Sequence, residues 1–153
     1  MSTGCSEQVE IELVRTPEQL NQAFEVRLKV FVEEQGVPRD EELDSYDGTA
    51  RHFLARVGGE VVGTARLIEK GPVTAKIGRV AILPGARRQG AGKRLMAAVE
   101  DAAKESGQTE AILEAQLHAI PFYEALGYRA EGDVFLDCNI PHRLMRKVLS
   151  RAG

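Results

Sequence analysis

The first part of the chain changes from alternating to helical spacing of its apolar residues at residue 16. Apolar and polar residues alternate over residues 9–15, as in a half-buried strand. Thr16 then supplies an N-cap, Pro17 suits the first helical position, and Gln19 completes a capping box. Apolar residues recur at steps of three and four until Gly36, which predicts the end of this helix.

Extended segments predominate after residue 50. Alternation over residues 50–57, the turn dipeptide Gly58-Gly59 and a return run over 61–68 predict a β-hairpin. A third segment, 75–83, completes an antiparallel meander. The remaining pattern predicts a helix over 93–106 closed by Gly107, a buried strand over 111–116, a short helix over 119–126 stopped by Gly127, and two strands within 128–148.

These elements predict an α/β fold with a mixed, mostly antiparallel sheet flanked by helices, in the order β-α-(α)-β-β-β-α-β-α-β-β. The parenthesis stands for the acidic stretch 40–47, which could be a second short helix or a loop. The chain has 153 residues, 43% of them hydrophobic and 28% charged, and contains no linker-like segment. We therefore expect one domain over residues 1–153.

Charge and composition exclude several classes of function. Lys and Arg total 20 against 23 Asp and Glu, so the net charge of −3 gives no general attraction to nucleic acid or anionic lipid. No apolar run approaches the length of a membrane span, and the N-terminal residues lack a signal-peptide pattern, which predicts a cytoplasmic protein. The widely separated Cys5 and Cys138 and three scattered histidines predict neither a disulfide framework nor a metal site.

The most informative segment is a basic, glycine-containing loop between a strand and a helix. Gly90 and Gly92 allow the backbone to curl, so that successive N–H groups and the following helix N-terminus point at one spot. Arg87, Arg88 and Lys93 concentrate positive charge at this turn in a chain of net negative charge. The loop therefore predicts a phosphate-binding site.

Two well-known phosphate loops do not fit this segment. A Walker A loop requires Lys and then Ser or Thr after its second glycine; Gly85 and Gly90 are correctly separated, but Ala91 follows Gly90, and Arg94 follows the nearby Gly-Lys pair. A dinucleotide-binding fingerprint needs a glycine where Leu95 stands, and a parallel-sheet context. The missing hydroxyl also disfavours nucleotide hydrolysis.

The pattern that does fit is Arg/Gln-x-x-Gly-x-Gly/Ala, supplied by Arg87, Gly90 and Gly92. With this loop the chain resembles the GNAT superfamily, whose members use it to hold the pyrophosphate of acetyl-coenzyme A. The resemblance extends over residues 9–149.

Residues 27–38, 115–128 and 140–142 are similar to a bacterial subgroup of GNAT proteins whose acceptors are mostly unassigned. The resemblance implies an acetyl-coenzyme A N-acetyltransferase, in which a primary amine attacks the thioester directly in a ternary complex. It also implies a set of cofactor-binding residues: Val80, Ala81, Ile82, Arg87, Arg88, Gln89, Gly90, Ala91, Gly92, Lys93, Phe122 and Tyr123.

Acyl transfer requires a proton for the leaving thiolate and a base for the attacking ammonium. The superfamily pattern Phe-Tyr-x-x-x-Gly-Phe/Tyr maps onto residues 122–128 and implies that Tyr123 is the general acid. A water chain or one of three carboxylates could act as the base, although each carboxylate could instead be solvated or salt-bridged: Glu33, Glu34 and Glu114. Three histidines could relay protons or simply pack: His52, His118 and His142.

The identity of the acceptor stays open at this level: small amines, amino sugars, polyamines and protein amines are all compatible with the sequence. Six acidic residues hint at a cationic acceptor, although a solvated acidic surface explains them equally well: Glu33, Glu34, Asp40, Glu41, Glu42 and Asp44. A non-catalytic acyl-coenzyme A sensor or regulatory module is the alternative to an enzyme. The resemblance also allows a homodimer, because dimerisation is common in the superfamily.

Overall fold

A computed structural model describes residues 9–42, 44–87 and 89–149. Seven strands form a sheet: β1 (Val9–Leu13), β2 (Arg51–Val57), β3 (Glu60–Glu69), β4 (Thr74–Ile82), β5 (Glu110–Gln116), β6 (Arg129–Asp137) and β7 (Ile140–Val148). The helices are α1 (Pro17–Arg27), α2 (Arg39–Glu42), α3 (Ala91–Glu105) and α4 (Ile120–Ala125). A π-helical segment (Leu28–Glu34) continues α1, and 3₁₀ turns lie at Ser45–Gly48, Pro84–Ala86 and Leu117–Ala119.

The strands lie side by side in the order β1-β2-β3-β4-β5-β7-β6. Neighbouring strands are antiparallel except for β4 and β5, which are parallel. This mixed sheet with helices packed on it confirms the predicted fold class. Several boundaries differ from prediction by one or two residues; α3, for example, begins at Ala91 rather than Lys93. The first helix also widens into the π-helical segment after Arg27.

Local signals in the sequence account for the element ends. The capping box forms, with the Gln19 backbone N–H donating to Thr16 Oγ1 and the Thr16 N–H donating to Gln19 Oε1, each at 3.1 Å. Gly58 and Gly59 both have positive φ, 59° and 85°, as a two-residue hairpin turn between β2 and β3 requires. Both predictions are confirmed.

Helices cover the two faces of the sheet. Along β3, Ala65 and Leu67 belong to the main apolar core, which includes Leu95 and Val99 of α3. The alternate residue Arg66 makes ion pairs on the other face. Because successive strand residues face opposite sides, α3 and the α1 side lie on opposite faces of the sheet.

No helix within the described ranges combines the length and the apolar character needed to cross a membrane. In the same part of the chain, no three His, Cys, Asp or Glu side chains come together in a way that could hold a metal ion.

Candidate active site

The two central parallel strands separate partway along their length. β4 and β5 pair only over three positions, from Thr74 opposite Glu110 to Lys76 opposite Ile112. Beyond that point residues 77–82 of β4 and 113–116 of β5, all of them described, form no further pairs with each other. The sheet therefore opens into a wedge, bounded on one side by the strand that leads into the basic loop.

A β-bulge turns β4 away from β5. Thr64 of β3 lies opposite Ala81, and Arg66 lies opposite Gly78, so Ala65 alone faces both Arg79 and Val80. Arg79 has a φ of 52°, in the left-handed region that non-glycine residues rarely adopt. Such strain persists where surrounding contacts hold it, and it is common at functional sites.

The loop after β4 ends in an exposed helix N-terminus. Gly90 is the N-cap of α3 with a φ of 84°, and it carries no side chain to accept from the first-turn N–H groups. Those N–H groups therefore remain available to an anion, and the dipole of the 15-residue helix favours negative charge there. Gln89 and Lys93 flank this turn with exposed side chains.

Gly92 is needed for its small size rather than for a positive φ angle. Its φ is not positive, but a Cβ at this position would lie 3.1 Å from Cζ of Phe122 and 3.8 Å from Cγ1 of Ile82. The missing side chain lets the Phe122 ring pack on the first turn of α3, where Ala91 is buried. The predicted cofactor residues Ile82, Ala91, Gly92 and Phe122 therefore meet at one place.

Arg87 is held by contacts within the protein. Its Nε donates to the carbonyl of Ile82 at 2.9 Å, and its two terminal nitrogens donate to the Glu34 carboxylate at 2.8 and 2.6 Å. The hydrogen bonds from Arg87 lower the pKa of Glu34. Arg88, the other predicted loop arginine, lies outside the described residues. Glu34 thus lies beside the basic loop and is paired with Arg87 of its motif.

The wedge contains a cavity of about 210 Å³, bordered by β4, β5, α4, the beginning of β7 and the π-helical segment. Val80 and Tyr123 both line it. Tyr123 is only 8% exposed, and its ring meets those of Phe122 and Tyr128 edge-on, at centroid distances of 5.0 and 6.0 Å. Burial raises the pKa of Tyr123, so its hydroxyl stays protonated at neutral pH.

Other sequence-predicted residues divide between the cavity and its surroundings. Glu114 lines the cavity, is 38% exposed and lies 3.6 Å from Lys76 Nζ. His118 and His142 also line it, whereas His52 is buried elsewhere with Nε2 3.0 Å from the Asp47 carbonyl oxygen. Burial lowers the pKa of His52. Ala81 packs in a small apolar cluster with Val26 and Val30 rather than lining the cavity.

Two carboxylates of the acidic stretch are not solvated, whereas Asp40 is exposed, so the solvated interpretation holds for only part of the stretch. Glu42 is 1% exposed and pairs with the fully buried Arg27 and with Arg79 at 3.0 and 2.9 Å. Asp47 pairs with Arg27 and Arg66 at 2.7 and 2.9 Å. The hint of a cationic acceptor therefore does not apply to these two carboxylates, because arginines of the protein neutralise them.

Two kinds of contact around the cavity cannot be predicted from local sequence patterns. Residues such as Arg27 and Glu42 or Arg66 and Asp47 are 15 and 19 positions apart, and no local pattern pairs them. The Gln116 amide likewise donates to Gln35 across 81 positions at 2.7 Å, which ties the end of β5 to the end of the π-helical segment. The cavity wall is therefore assembled from distant parts of the chain.

Comparison with known proteins agrees with this geometry. The acetyltransferase (GNAT) domain family matches residues 14–149. The chain is 40% identical over 136 residues to YjcF, an uncharacterized N-acetyltransferase of Bacillus subtilis strain 168, covering 88% of this chain and 96% of that protein.

Two solved structures are similar over nearly their whole length. An acyl-CoA N-acyltransferase from Pseudomonas aeruginosa has a TM-score of 0.79 at 31% identity, covering 92% of this chain and 99% of that one. Escherichia coli ElaA has a TM-score of 0.80 at 26% identity with the same coverage. The resemblance first seen in the basic loop is confirmed, and this chain belongs to the GNAT acetyltransferase family.

Proposed function

We propose that this chain transfers an acetyl group from acetyl-coenzyme A to a primary amine, by direct attack within a ternary complex. The observation that carries the proposal is the course of β4, which borders the cavity containing Tyr123 and leads into the loop before α3. A carrier whose diphosphate rests on that loop would extend its arm along β4 and place its thioester in the cavity.

The proposed cofactor site uses main-chain groups first. The uncapped N–H groups at Ala91, Gly92 and Lys93 would bind the diphosphate at the positive end of the α3 dipole. The backbone of residues 80–82, on the side of β4 that faces away from its β3 partner, would bind the pantetheine arm. Phe122, which packs against Gly92, would cover one side of that arm.

The chemistry follows from the groups around the cavity. The amine nitrogen attacks the thioester carbonyl, and a backbone N–H of the bulged β4 would stabilise the developing oxyanion. Tyr123, kept protonated by burial, would donate its proton to the sulfur as the carbon–sulfur bond breaks. Its position between two aromatic rings restricts the direction in which the hydroxyl points.

The carboxylates play different parts in this proposal. Glu114, in the cavity and partly exposed, would attract the cationic acceptor. Glu34 does not line the cavity and already holds Arg87, which supports a role beside the cofactor loop rather than at the amine.

The proposal is tested by thiol release from acetyl-coenzyme A over a panel of primary amines. We expect Tyr123→Phe to lower turnover about 100-fold or more with cofactor affinity retained, because only the proton donor is lost. Tyr46→Phe is the matched control, since Tyr46 is 47% exposed and does not line the cavity. Tight cofactor binding without turnover by the unaltered protein would instead support an acyl-coenzyme A sensor.

A further inference from the structure

His142 lies in the wall of the same cavity as Tyr123, and one of its ring nitrogens has no hydrogen-bond partner among the described residues. It lies on β7 opposite Gln116, is 8% exposed, and lines the cavity. Its Nδ1 is 2.6 Å from the carbonyl oxygen of Ile140. A carbonyl only accepts hydrogen bonds, so Nδ1 carries the hydrogen and Nε2 of the neutral ring keeps its lone pair. No described residue hydrogen-bonds to Nε2.

We propose that His142 is the general base that takes the proton from the acceptor ammonium through Nε2. This inference rests on the proposed acetyl transfer and names the group that makes the amine nucleophilic. The Ile140 carbonyl holds the tautomer and the ring orientation, and it continues to accept from Nδ1–H after the ring becomes charged. The Phe135 ring, stacked at 5.9 Å and 22°, offers its face to the imidazolium.

The other candidate bases have partners or positions that suit this task less well. Glu34 holds Arg87 outside the cavity, and the interaction lowers its pKa. Glu114 shares its carboxylate with Lys76 and is 38% exposed. His52 uses Nε2 for the Asp47 carbonyl, and it is not part of the cavity wall. His142 alone among these four combines burial, a fixed tautomer and an open lone pair within the cavity.

The protons balance through two residues. His142 Nε2 takes one proton from the ammonium, becomes imidazolium, and later releases that proton to solvent. The neutral amine forms the nitrogen–carbon bond, and the carbon–sulfur bond breaks as Tyr123 protonates the thiolate. The tyrosinate then recovers a proton from the newly bonded nitrogen. The net products are the amide, coenzyme A thiol and one released proton.

The cavity that His142 lines also contains charged groups of both signs. The acidic ones are Glu42, Glu114 and Asp137, and the basic ones are Arg66, Lys76 and Arg79. His118, in the 3₁₀ turn that packs against β7, is the other imidazole at the cavity. The pH dependence of kcat/KM therefore reflects all of these groups together. Single substitutions are needed to distinguish the contribution of each group.

The main experiment compares pH profiles of kcat/KM for the unaltered protein, His142→Asn and Glu114→Gln, using the best amine from the panel. Asn keeps a donor for the Ile140 carbonyl but cannot accept the proton. We expect His142→Asn to lower kcat about 100-fold or more with little change in cofactor affinity. The acid limb of the kcat/KM profile should be lost in this variant. In its place, kcat/KM should rise about tenfold per pH unit until the pH reaches the pKa of the amine itself.

The result that overturns the inference is a His142→Asn profile that keeps the original acid limb, or a Glu114→Gln profile that loses it. His118→Asn is the imidazole control and should leave the limb in place. Absence of thiol release by the unaltered protein would contradict the proposed acetyl transfer itself. Normal turnover by His142→Asn would contradict only the role of His142.

A second measurement needs neither an acceptor nor a folded variant. Long-range ¹H–¹⁵N spectra of histidine-labelled protein should show His142 as the Nδ1–H tautomer wherever the ring is neutral. The chain has three histidines, so only three imidazoles contribute signals. An Nε2–H tautomer would contradict the proposal.

Discussion

Single residues in the cofactor loop act through backbone geometry as much as through side chains. Gly90 turns the chain into α3 with a φ of 84°, and Gly92 leaves room for the Phe122 ring. Arg79 adopts a comparable conformation at the β4 bulge without being glycine, held by hydrogen bonds from Nε and Nη2 to the Glu42 carbonyl, at 3.1 and 3.0 Å. At the residue scale, the geometry of the site therefore depends on the positive φ angles of Gly90 and Arg79 and on the missing side chain of Gly92.

Gly90→Ala tests this dependence. A left-handed conformation costs a residue with a Cβ about 1–2 kcal/mol, so the turn should relax and misalign the first N–H groups of α3. We expect coenzyme A affinity, measured by titration calorimetry, to fall about tenfold. Gly85→Ala is the control, because its φ is not positive and a Cβ there meets nothing within 4 Å. Equal affinities for the two variants would contradict the prediction.

At the scale of elements, the π-helical segment connects the two strands that separate, β4 and β5. Its last residue, Glu34, holds Arg87 after β4, and the next residue, Gln35, accepts from Gln116 at the end of β5. Phe31 and Gln35 also line the cavity. The π-helical segment and Gln35 therefore contact the basic loop after β4, the cavity and the end of β5.

Glu34→Gln should strengthen coenzyme A binding severalfold relative to Glu33→Gln, as measured by titration calorimetry. The Glu34 carboxylate and the diphosphate would compete for the Arg87 guanidinium. The control substitution Glu33→Gln removes the same negative charge from an exposed position one residue away. Folding stability should change by less than about 1 kcal/mol, because both partners of this pair are well exposed. Identical affinities would mean that Arg87 keeps its carboxylate partner when the cofactor binds.

At the scale of the molecule, buried charge attaches the α1–α2 side to the sheet. Arg27 is fully buried and donates to Glu42 and Asp47, while Arg66 and Arg79 reach the same acidic stretch from β3 and β4. Because Glu42, Arg66 and Arg79 line the cavity, this network holds one of its walls in place.

Arg27→Met should destabilise the protein by up to about 3–5 kcal/mol. It removes the arginine shared by buried Glu42 and nearly buried Asp47, which keep only Arg79 and Arg66 as partners. Urea unfolding measures this change. Arg39→Met is the matched control at an exposed position and should stay within about 0.5 kcal/mol of the unaltered protein. A loss below 1 kcal/mol for Arg27→Met would contradict the importance of the network.

Asp47 predicts an acid-sensitive component of stability. Burial alone would raise its pKa, but hydrogen bonds from Arg27 and the Asp44 N–H lower the pKa to about 2. A carboxyl with a depressed folded-state pKa stabilises the fold fully above its unfolded value near 4, and that contribution disappears as pH falls to about 2. In urea unfolding we expect Asp47 to account for about 2 kcal/mol of the loss over this interval, so that the loss in Asp47→Asn is smaller by that amount.

Much of the architecture follows from neighbours along the chain. The capping box at Thr16 and Gln19, the Gly58-Gly59 turn and the stripe of apolar residues on α3 each involve residues within reach of one another in any compact conformation. The basic loop, read with the same local rules, predicted a phosphate site before a helix N-terminus. These signals predicted the element order and the fold class, and the resemblance carried by the loop indicated the family.

Only the tertiary structure decided how the site is put together. The extent of the opening between β4 and β5 depends on a bulge opposite Ala65, and no residue pattern marks its position. Glu34 meets Arg87 across 53 positions, and the tautomer of His142 depends on a carbonyl placed by the β6–β7 turn. Local propensity acts over a few residues, whereas ion partners, splayed strands and a cavity wall arise only when distant segments are packed together.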